Sequence, residues 1–494
     1  MSSRREFVSA ALLGLTRKSP RNVEGSFVNE SQITGHKLRD GRLASTVTRT
    51  ERIPVVIVGG GMAGLSAAWH LDKRGFRDFV LLEMEPEAGG NSRWGENEIT
   101  AYPWAAHYVP VPGKHLTLVR ELMEDLGVLR EGKWEERWLC HTPQERVFRH
   151  GRWQEGFEPE SREERSEWKR FEAKMAGFAS SGEFTIPLPD HSKLDALDRT
   201  SMRDWLNANG FRSDYLRWYV DYACRDDYGA HAAGTSAYMG IHYFASREAD
   251  DRGPLTWPEG NGWIARRLID RFKIRIRGNQ PVLHIMPDGR HLKVLTPDTL
   301  IHTEAVIFAA PSFLAPHVIE GVRPVDTAYS PWVTANVTLD RMPAEQGFGA
   351  AWDNVIPGSP SLGYVVATHM NLRTHNERSV WTWYHALADS DVRAARTSLL
   401  QSTWDDWKEF ILKDLSRAHP DIRDCVARID IMRFGHAMAR PIPGSVFSPS
   451  RTQPRSGTPG VFLANSDLSG YSIFEEAQSR GVRAAAEVLR RIGR

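Results

Sequence analysis

The 494-residue chain is poor in cysteine, with only Cys140, Cys224 and Cys425, all far apart. Three isolated cysteines supply neither a disulfide framework nor the paired spacing of a zinc site. No apolar run approaches the roughly 18 residues that a membrane-spanning helix needs. Charge of one sign is also lacking, because 63 lysines and arginines face 62 aspartates and glutamates. That balance removes the electrostatic case for a nucleic-acid or anionic-membrane partner. No unit recurs at a period of about 20–50 residues, which argues against solenoids and propellers. Neither a G-x-S-x-G elbow nor an H-E-x-x-H motif occurs, and no metal site is expected. What remains is a globular composition, 41% hydrophobic and 25% charged, in a chain too long for one ordinary core. Length alone suggests about three domains. Glycine and tryptophan are plentiful, at 40 and 17, as a deep pocket around a flat ligand would require.

The chain opens with Ser3-Arg4-Arg5-Glu6-Phe7-Val8 and a short apolar stretch to Leu15. A twin arginine ahead of an apolar segment resembles the signal of the twin-arginine export route. The expected location is therefore periplasmic or exported. The alternative is a basic tail on a cytoplasmic protein, because no Ala-x-Ala cleavage site follows. Residues 16–50 are polar and aperiodic and read as a linker or an arm lying over the domain. The segment 115–250 is mostly helical in pattern, and its densely charged part, 158–174, reads as a solvated helix or loop. Strand-like stretches return at 305–309, 332–339, 363–367 and 380–384.

A parallel strand buried on both faces is expected at Ile53-Pro-Val-Val-Ile-Val58, which is apolar without alternation. It runs into Gly59-Gly60-Gly61-Met62-Ala63-Gly64, with glycines at all three places of G-x-G-x-x-G. Gly59 permits the tight turn, Gly61 lets a pyrophosphate reach the backbone, and Gly64 lets the next helix pack closely. Met62, Leu65, Ala68 and Leu71 carry the helical spacing, and Gly75 marks the stop. The first turn, at Met62 and Ala63, offers free N–H groups and a positive dipole end to phosphate oxygens. A second strand, Phe79-Val-Leu-Leu, ends in Glu83, nineteen residues beyond Gly64. Its carboxylate suits ribose hydroxyls and repels a 2′-phosphate. Strand, glycines, helix, strand and terminal acid in this order predict a dinucleotide site. A second glycine turn, Gly89-Gly90-Asn91-Ser92-Arg93, suits a longer ligand, FAD rather than NAD. Arg93 is placed for the pyrophosphate or the flavin edge.

From Val55 to Arg93 the chain resembles the amino-terminal signature of the flavin-containing amine oxidase superfamily. That group includes monoamine and polyamine oxidases, phytoene desaturases and protoporphyrinogen oxidases. Trp257-Pro-Glu-Gly-Asn-Gly262 resembles the entry to the family's second FAD segment, and Pro281-Val282 the strand that puts Val282 beside the adenine. Gly460–Asp467, Gly470-Tyr471 and the helix from Phe474 resemble the segment closing over the flavin, which implies cofactor contacts from Asp467 and Tyr471. The resemblance implies an α/β fold with FAD as cofactor. A doubly wound, parallel-sheet Rossmann-type FAD domain would comprise 51–114, 255–325 and 450–494. An α+β substrate domain, 115–254 and 326–449, would be interleaved with it behind the arm, 1–50. Two departures stand out. Ala464-Asn465-Ser466-Asp467 keeps the family's acid without its usual glycine, and Glu476 stands where many relatives carry glycine.

The resemblance also locates the chemistry. Many amine oxidases carry a lysine near flavin N5, but the matching strand here holds Thr334 or Asn336. No lysine occurs between Lys293 and Lys408. Trp332, Trp381, Trp383, Tyr384 and Tyr471 come from segments placed around the substrate, where rings attract an ammonium or pack a polyene. Trp332 and Tyr471 are the pocket candidates, and the others read as core. His107 is either an acid–base group or a histidine that orients the backbone. Arg225-Asp226-Asp227 either anchors a polar substrate group or forms a helix-end ion pair. His436 lies where relatives place substrate-facing residues. The expected function is FAD-dependent removal of hydride from a C–N or C–C bond of a small or medium substrate, with oxygen or another acceptor taking the electrons. The alternatives are a polyene desaturase or isomerase, and a flavin-binding protein without turnover.

Overall fold

The structure, a computed structural model, describes residues 22–28, 32–247, 253–322, 324, 326–371, 376–388, 391–452 and 457–493. The twin-arginine segment lies outside them. The apolar run at 55–58 forms β3 (Val55–Val58), central in a five-stranded parallel sheet. Its order is Ile276–Arg277, β4 (Phe79–Leu82), β3, Ala305–Phe308, Val461–Leu463. These strands come from three separated stretches of chain. Alternate residues of β3 enter different cores, Val55 and Ile57 on one face and Val56 and Val58 on the other. A strand buried twice must be apolar throughout, which explains the missing alternation.

On the first face lie α2 (Met62–Lys73) and the C-terminal helix Phe474–Arg491. Glycine allows both approaches. A Cβ on Gly64 would stand 2.0 Å from the Gly59 carbonyl oxygen, and one on Gly481 2.0 Å from that of Ala63. The other face is covered by an antiparallel meander, His284–Asp288, His291–Leu295 and Thr299–Thr303.

A second sheet has eight strands, with the long Ala328–Leu339, buried from Tyr329 onward, between Val426–Arg440 and Ser379–Ala386. The segment 115–250 is less helical than its pattern suggests. It contributes the hairpin Glu145–Arg149/Arg152–Glu155 to this sheet, turning at His150 and Gly151, both at positive φ. Two consecutive positive φ values match the right-handed strand twist, a conformation that charged flanking residues obscure in the sequence. Helices Arg162–Ser180, Met202–Ala208, Asp214–Tyr228 and Ala237–Ala245 form a third core. The charged stretch is the first of these, opened by a Ser161/Glu164 capping box.

The described part of the arm, 22–28 and 32–50, forms regular elements. β1 (Glu24–Phe27) pairs in parallel with Val426–Arg440, and α1 (Gln32–Arg39) follows. β2 (Arg49–Arg52) extends the meander beside Thr299–Thr303. Leu38 of α1 is buried in the core beneath the parallel sheet.

Replacing Gly481 with alanine should force the two helices apart, costing on the order of 1–3 kcal/mol as overpacking does. Gly177 lies in the last turn of the helix Arg162–Ser180, with nothing within 4 Å of its added methyl. Gly177→Ala should instead stabilise by about 0.5–1 kcal/mol. Thermal unfolding midpoints should therefore move in opposite directions.

Candidate active site

Three strand ends open into one cleft of about 330 Å³. Gly59, at φ +99°, turns the chain from β3 toward α2, and its missing side chain admits the backbone of Ala310 at 2.8 Å. Gly61 is the N-cap of α2 with no side-chain cap, so the first amides of the helix remain available. An added Cβ on Gly61 meets no atom of the chain closer than 3.9 Å and would project into open space. Bare helix amides beside such a space fit a pyrophosphate. Glu83 accepts from the Gly60 amide at 2.6 Å and the Glu85 amide at 2.9 Å. Burial pushes its carboxyl up, against the pull of those two bonds. Met62, Ala63, Gly90, Asn91, Ser92, Arg93 and Val282 line the same cleft. Arg93 Nε donates to the Gly90 carbonyl at 3.1 Å, and its guanidinium lies 3.7 Å from Glu85. Gly64 lies behind this surface, in the contact between helix and strand.

Asp467 also lines the cleft, and its carboxylate accepts from the Ser312 amide, the Ser312 hydroxyl and the Tyr329 hydroxyl. Asn465, the departure before it, ties the turn together. Its Nδ2 donates to the Ala309 carbonyl and its Oδ1 accepts from the Asp467 amide. Glu476 reaches away from the cleft, accepting from the Leu188 amide and the Ser469 and Tyr471 hydroxyls. Tyr471 accordingly needs correction, because it lines neither the cleft nor the cavities beyond it. Its ring packs against Tyr228 and His242 in the helical core, drawn there by the buried Glu476 carboxylate. His436 lines the cleft, stacked on Phe313 at 4.4 Å.

An inner cavity of about 190 Å³ adjoins the cleft. Asn91, Ala106, Asn261, Ser472 and Phe474 line both. Its walls include His107, Trp332, Thr334, Tyr384 and Phe434. Trp332 and Thr334 share one face of their strand, whereas Val333 and Ala335 face the core of the large sheet. The Thr334 hydroxyl, on a residue 2% exposed, has no partner among the described residues. Asn336 is satisfied by the Pro103 carbonyl and the Thr382 hydroxyl. His107 Nδ1 is likewise buried without a partner among the described residues, with its ring 4.9 Å from that of Tyr384. Burial pushes the imidazole down to about 4, so it is neutral at physiological pH. Trp381 and Trp383 belong to the core, and Tyr384 on the opposite face of the same strand reaches the cavity.

The sequence cluster at 225–227 splits. Arg225 pairs with Asp221, while Asp226 and Asp227 line the inner cavity. Arg247 stands 3.9 Å from Asp227 and 3.7 Å from Glu475. Burial, then repulsion by Asp227, pushes Asp226 up to about 7. An outer chamber of about 310 Å³ opens from the inner one, sharing His107, Tyr108, Asp226 and Tyr384, and adds Glu145 and Asp353. Sequence reasoning singled out neither of these two acids, because nothing local distinguishes them from solvated ones.

A parallel sheet with a bare helix tip beside a ribose-competent carboxylate fits a dinucleotide. The family model for flavin-containing amine oxidoreductases matches residues 62–489, and the chain belongs to that family. Its cofactor is FAD, which the open cradle at Gly61 and the buried Glu83 fit. Wild-type putrescine oxidase bound to putrescine shares the fold at TM-score 0.68 and 17% identity, over 90% of this chain and all of that one. Cyclohexylamine oxidase from Brevibacterium oxydans IH-35A matches at TM-score 0.68 and 15% identity, with the same coverage. A fatty acid isomerase from P. acnes matches at TM-score 0.63 and 13% identity, over 88% of this chain and 98% of that one. Among curated proteins, Protein anon-37Cs of Drosophila melanogaster is 31% identical over 24% of this chain and 23% of its own length. Mouse mitochondrial dimethylglycine dehydrogenase is 36% identical over 17% of this chain and 9% of its own. The chain thus spans less than a quarter of the length of these curated relatives.

Gly61→Ala should leave the unfolding midpoint of the FAD-free protein unchanged, since its methyl meets only open space. It should weaken FAD retention about tenfold by crowding the pyrophosphate. Flavin absorbance per chain after gel filtration, read beside the midpoint, checks both.

Proposed function

We propose that the chain oxidises an amine: the ammonium that binds gives a proton to water, hydride then leaves the carbon bonded to the neutral nitrogen, and an iminium remains. One observation carries this reading: the cavity that opens into the dinucleotide cleft combines two carboxylates, Asp226 and Asp227, with aromatic walls. Carboxylates and ring faces attract an ammonium and repel an anion. Arg247 offsets part of that charge through Asp227 and Glu475. His107 stays uncharged down to about pH 4 and does not oppose the cation.

FAD bound in the cleft supplies the two-electron acceptor, and a terminal acceptor such as oxygen regenerates it. Glu83, the α2 amides and Arg93 would hold the cofactor. The chain's remaining task is placement. Trp332, Tyr384 and Phe434 wall in the substrate and exclude water, and the partnerless Thr334 hydroxyl offers a hydrogen bond to the amine nitrogen. Asp226 holds the positive charge as the substrate enters from the outer chamber, which it also lines.

The second reading is a desaturase or isomerase acting on an apolar chain. Thr334, a hydroxyl residue on the strand where amine oxidases carry lysine, favours it. Two carboxylates in the wall oppose it, since an apolar chain leaves them desolvated and unpaired.

Anaerobic bleaching of the flavin absorbance by a panel of amines tests the reading. Bleaching by amines with none by alkenoic acids or polyenes is expected, and the reverse pattern would sink it. For amines that remain cationic throughout, kcat/KM should rise as pH increases through about 7, because only ionised Asp226 attracts the cation. Asp226→Asn should remove that limb and lower kcat/KM about tenfold or more.

A further inference from the structure

The arm crosses the dinucleotide cleft from one sheet to the other. β1 pairs in parallel with Val426–Arg440 of the large sheet, with Gly25 opposite Ile429. Phe27 packs against the core of that sheet, and the Arg433 guanidinium lies 3.8 Å over its ring. Beyond α1 the chain returns to the meander that covers the parallel sheet. There the Thr46 and Thr48 amides donate to the Pro297 and Asp298 carbonyls at 2.7 and 2.9 Å, and β2 continues beside Thr299–Thr303. Held between these attachments, α1 meets the walls of the cleft on both sides. An added Cβ on Gly35 would lie 4.0 Å from the methyl of Met84, which follows β4 and Glu83. Opposite stands His436 of Val426–Arg440, its imidazole pushed down to about 4 by burial, then by Arg396, His36 and Arg39. Met84 and His436 both line the cleft.

One residue of α1 enters the cleft itself. Leu38, 8% exposed, shares a core with Leu82, Val282 and Val318, and all four line the cleft. Among the described residues it is the one lining residue that precedes β3. Glu83, next after Leu82, suits a ribose, and the aliphatic patch beside it suits the flat base which that ribose carries. The match to the family begins at residue 62, so the arm lies outside it. Strand pairing fixes the arm at both ends, and Leu38 can withdraw only if one pairing breaks or α1 unfolds. A ligand beneath it is then released no faster than that local opening occurs.

We propose that the arm is a strap over the adenosine end of FAD, with Leu38 contacting the base and the pairing of β1 keeping it there. The cofactor leaves only when the arm opens. FAD in turn holds the arm shut, because a ligand that binds the closed state stabilises it. Cofactor retention thereby depends on an edge strand of the other sheet, at a distance from every phosphate-binding group.

The test follows FAD release from the full-length, loaded protein, as flavin absorbance retained at timed intervals after free FAD is removed by gel filtration. Leu38→Ala removes the contact. Gly25→Ala unseats β1 from outside the cleft, since Gly25 sits at φ +143° and an added Cβ would collide with the Ile429 carbonyl. Each variant should release FAD about tenfold faster, with full flavin content in excess FAD as the check on folding. Ile33→Ala, at a position of α1 that is 65% exposed, should release it at the wild-type rate. Independently, FAD should slow tryptic cleavage after Lys37 about tenfold, because the bond to Leu38 is reached only when α1 opens. Wild-type release from either Leu38→Ala or Gly25→Ala, faster release from Ile33→Ala, or cleavage after Lys37 at equal rates with and without FAD overturns the proposal.

Discussion

Backbone must touch backbone at the start of α2, and the remainder of the site depends on that contact. No side chain fits between Gly64 and the Gly59 carbonyl, or between Gly481 and the Ala63 carbonyl. The helix is thereby pinned from two sides, by the strand it follows and by a helix more than four hundred residues later. Pinned in this way, its tip stands level with the ends of β3, β4 and Ala305–Phe308. Ligands of open parallel sheets bind beyond such strand ends, where turns rather than side chains form the floor. The floor here consists of Gly59–Gly61, Glu83 and Ala309–Pro311. A single contact sets the position and the dipole direction of the phosphate-binding surface together.

The substrate walls follow from another constraint, the two-residue period of strands. Ala328–Leu339 is buried from Tyr329 onward, yet its two faces do different work. Val333, Ala335 and Val337 build the core of the large sheet, while Trp332 and Thr334 face the inner cavity. The neighbouring strand repeats the pattern, with Trp383 donating to Asp414 in the core and Tyr384 reaching the cavity. A register slip of one residue would exchange every wall residue for a core residue. The hydrophobic core thus specifies the cavity's chemistry, even though it never meets the ligand.

The same physics explains what could be read in advance. The dinucleotide half was legible because its determinants are local: a buried strand, three glycines, a helix and an acid within about thirty residues. Of its later strands Ala305–Phe308 was legible as an apolar run, whereas Ile276–Arg277 and the order in the sheet were not. Glu145 and Asp353 could not be read, since they lie more than two hundred residues apart and become neighbours only through strand register. Tyr471 shows the opposite error. Resemblance to the segment that closes over the flavin suggested a cofactor contact, but the buried Glu476 carboxylate, five residues on, bonds its hydroxyl and the ring packs in the helical core. Glu476 was visible as a departure from the family. Its consequence, a carboxylate fastening the turn at Ser469 to Leu188, required the fold.

Asp226 and Asp227 occupy the last turn of their helix, where the dipole is negative and a carboxylate is disfavoured by about 0.3–1 kcal/mol. The helix ends at Gly229 in the left-handed conformation, tight against Ser330 and Trp332, so the acids cannot swing out to water with a fraying end. Arg247 offsets part of the charge, but it is shared with Glu475. The neutral neighbours fit the same pattern. A lysine on the cavity face of the long strand would neutralise these acids from within, whereas Thr334 adds a hydroxyl and no charge. The depressed His107 adds none either. Asp226 therefore remains at a position that repels it electrostatically, on a rigid helix end, in a cavity whose one arginine, Arg247, is shared between Asp227 and Glu475. Such an arrangement is destabilising for the chain alone and is relieved when positive charge arrives with the ligand. The missing lysine and the two acids thus have one physical reading, a cavity in which Arg247 alone faces Asp226, Asp227 and Glu475 and negative charge is left in excess.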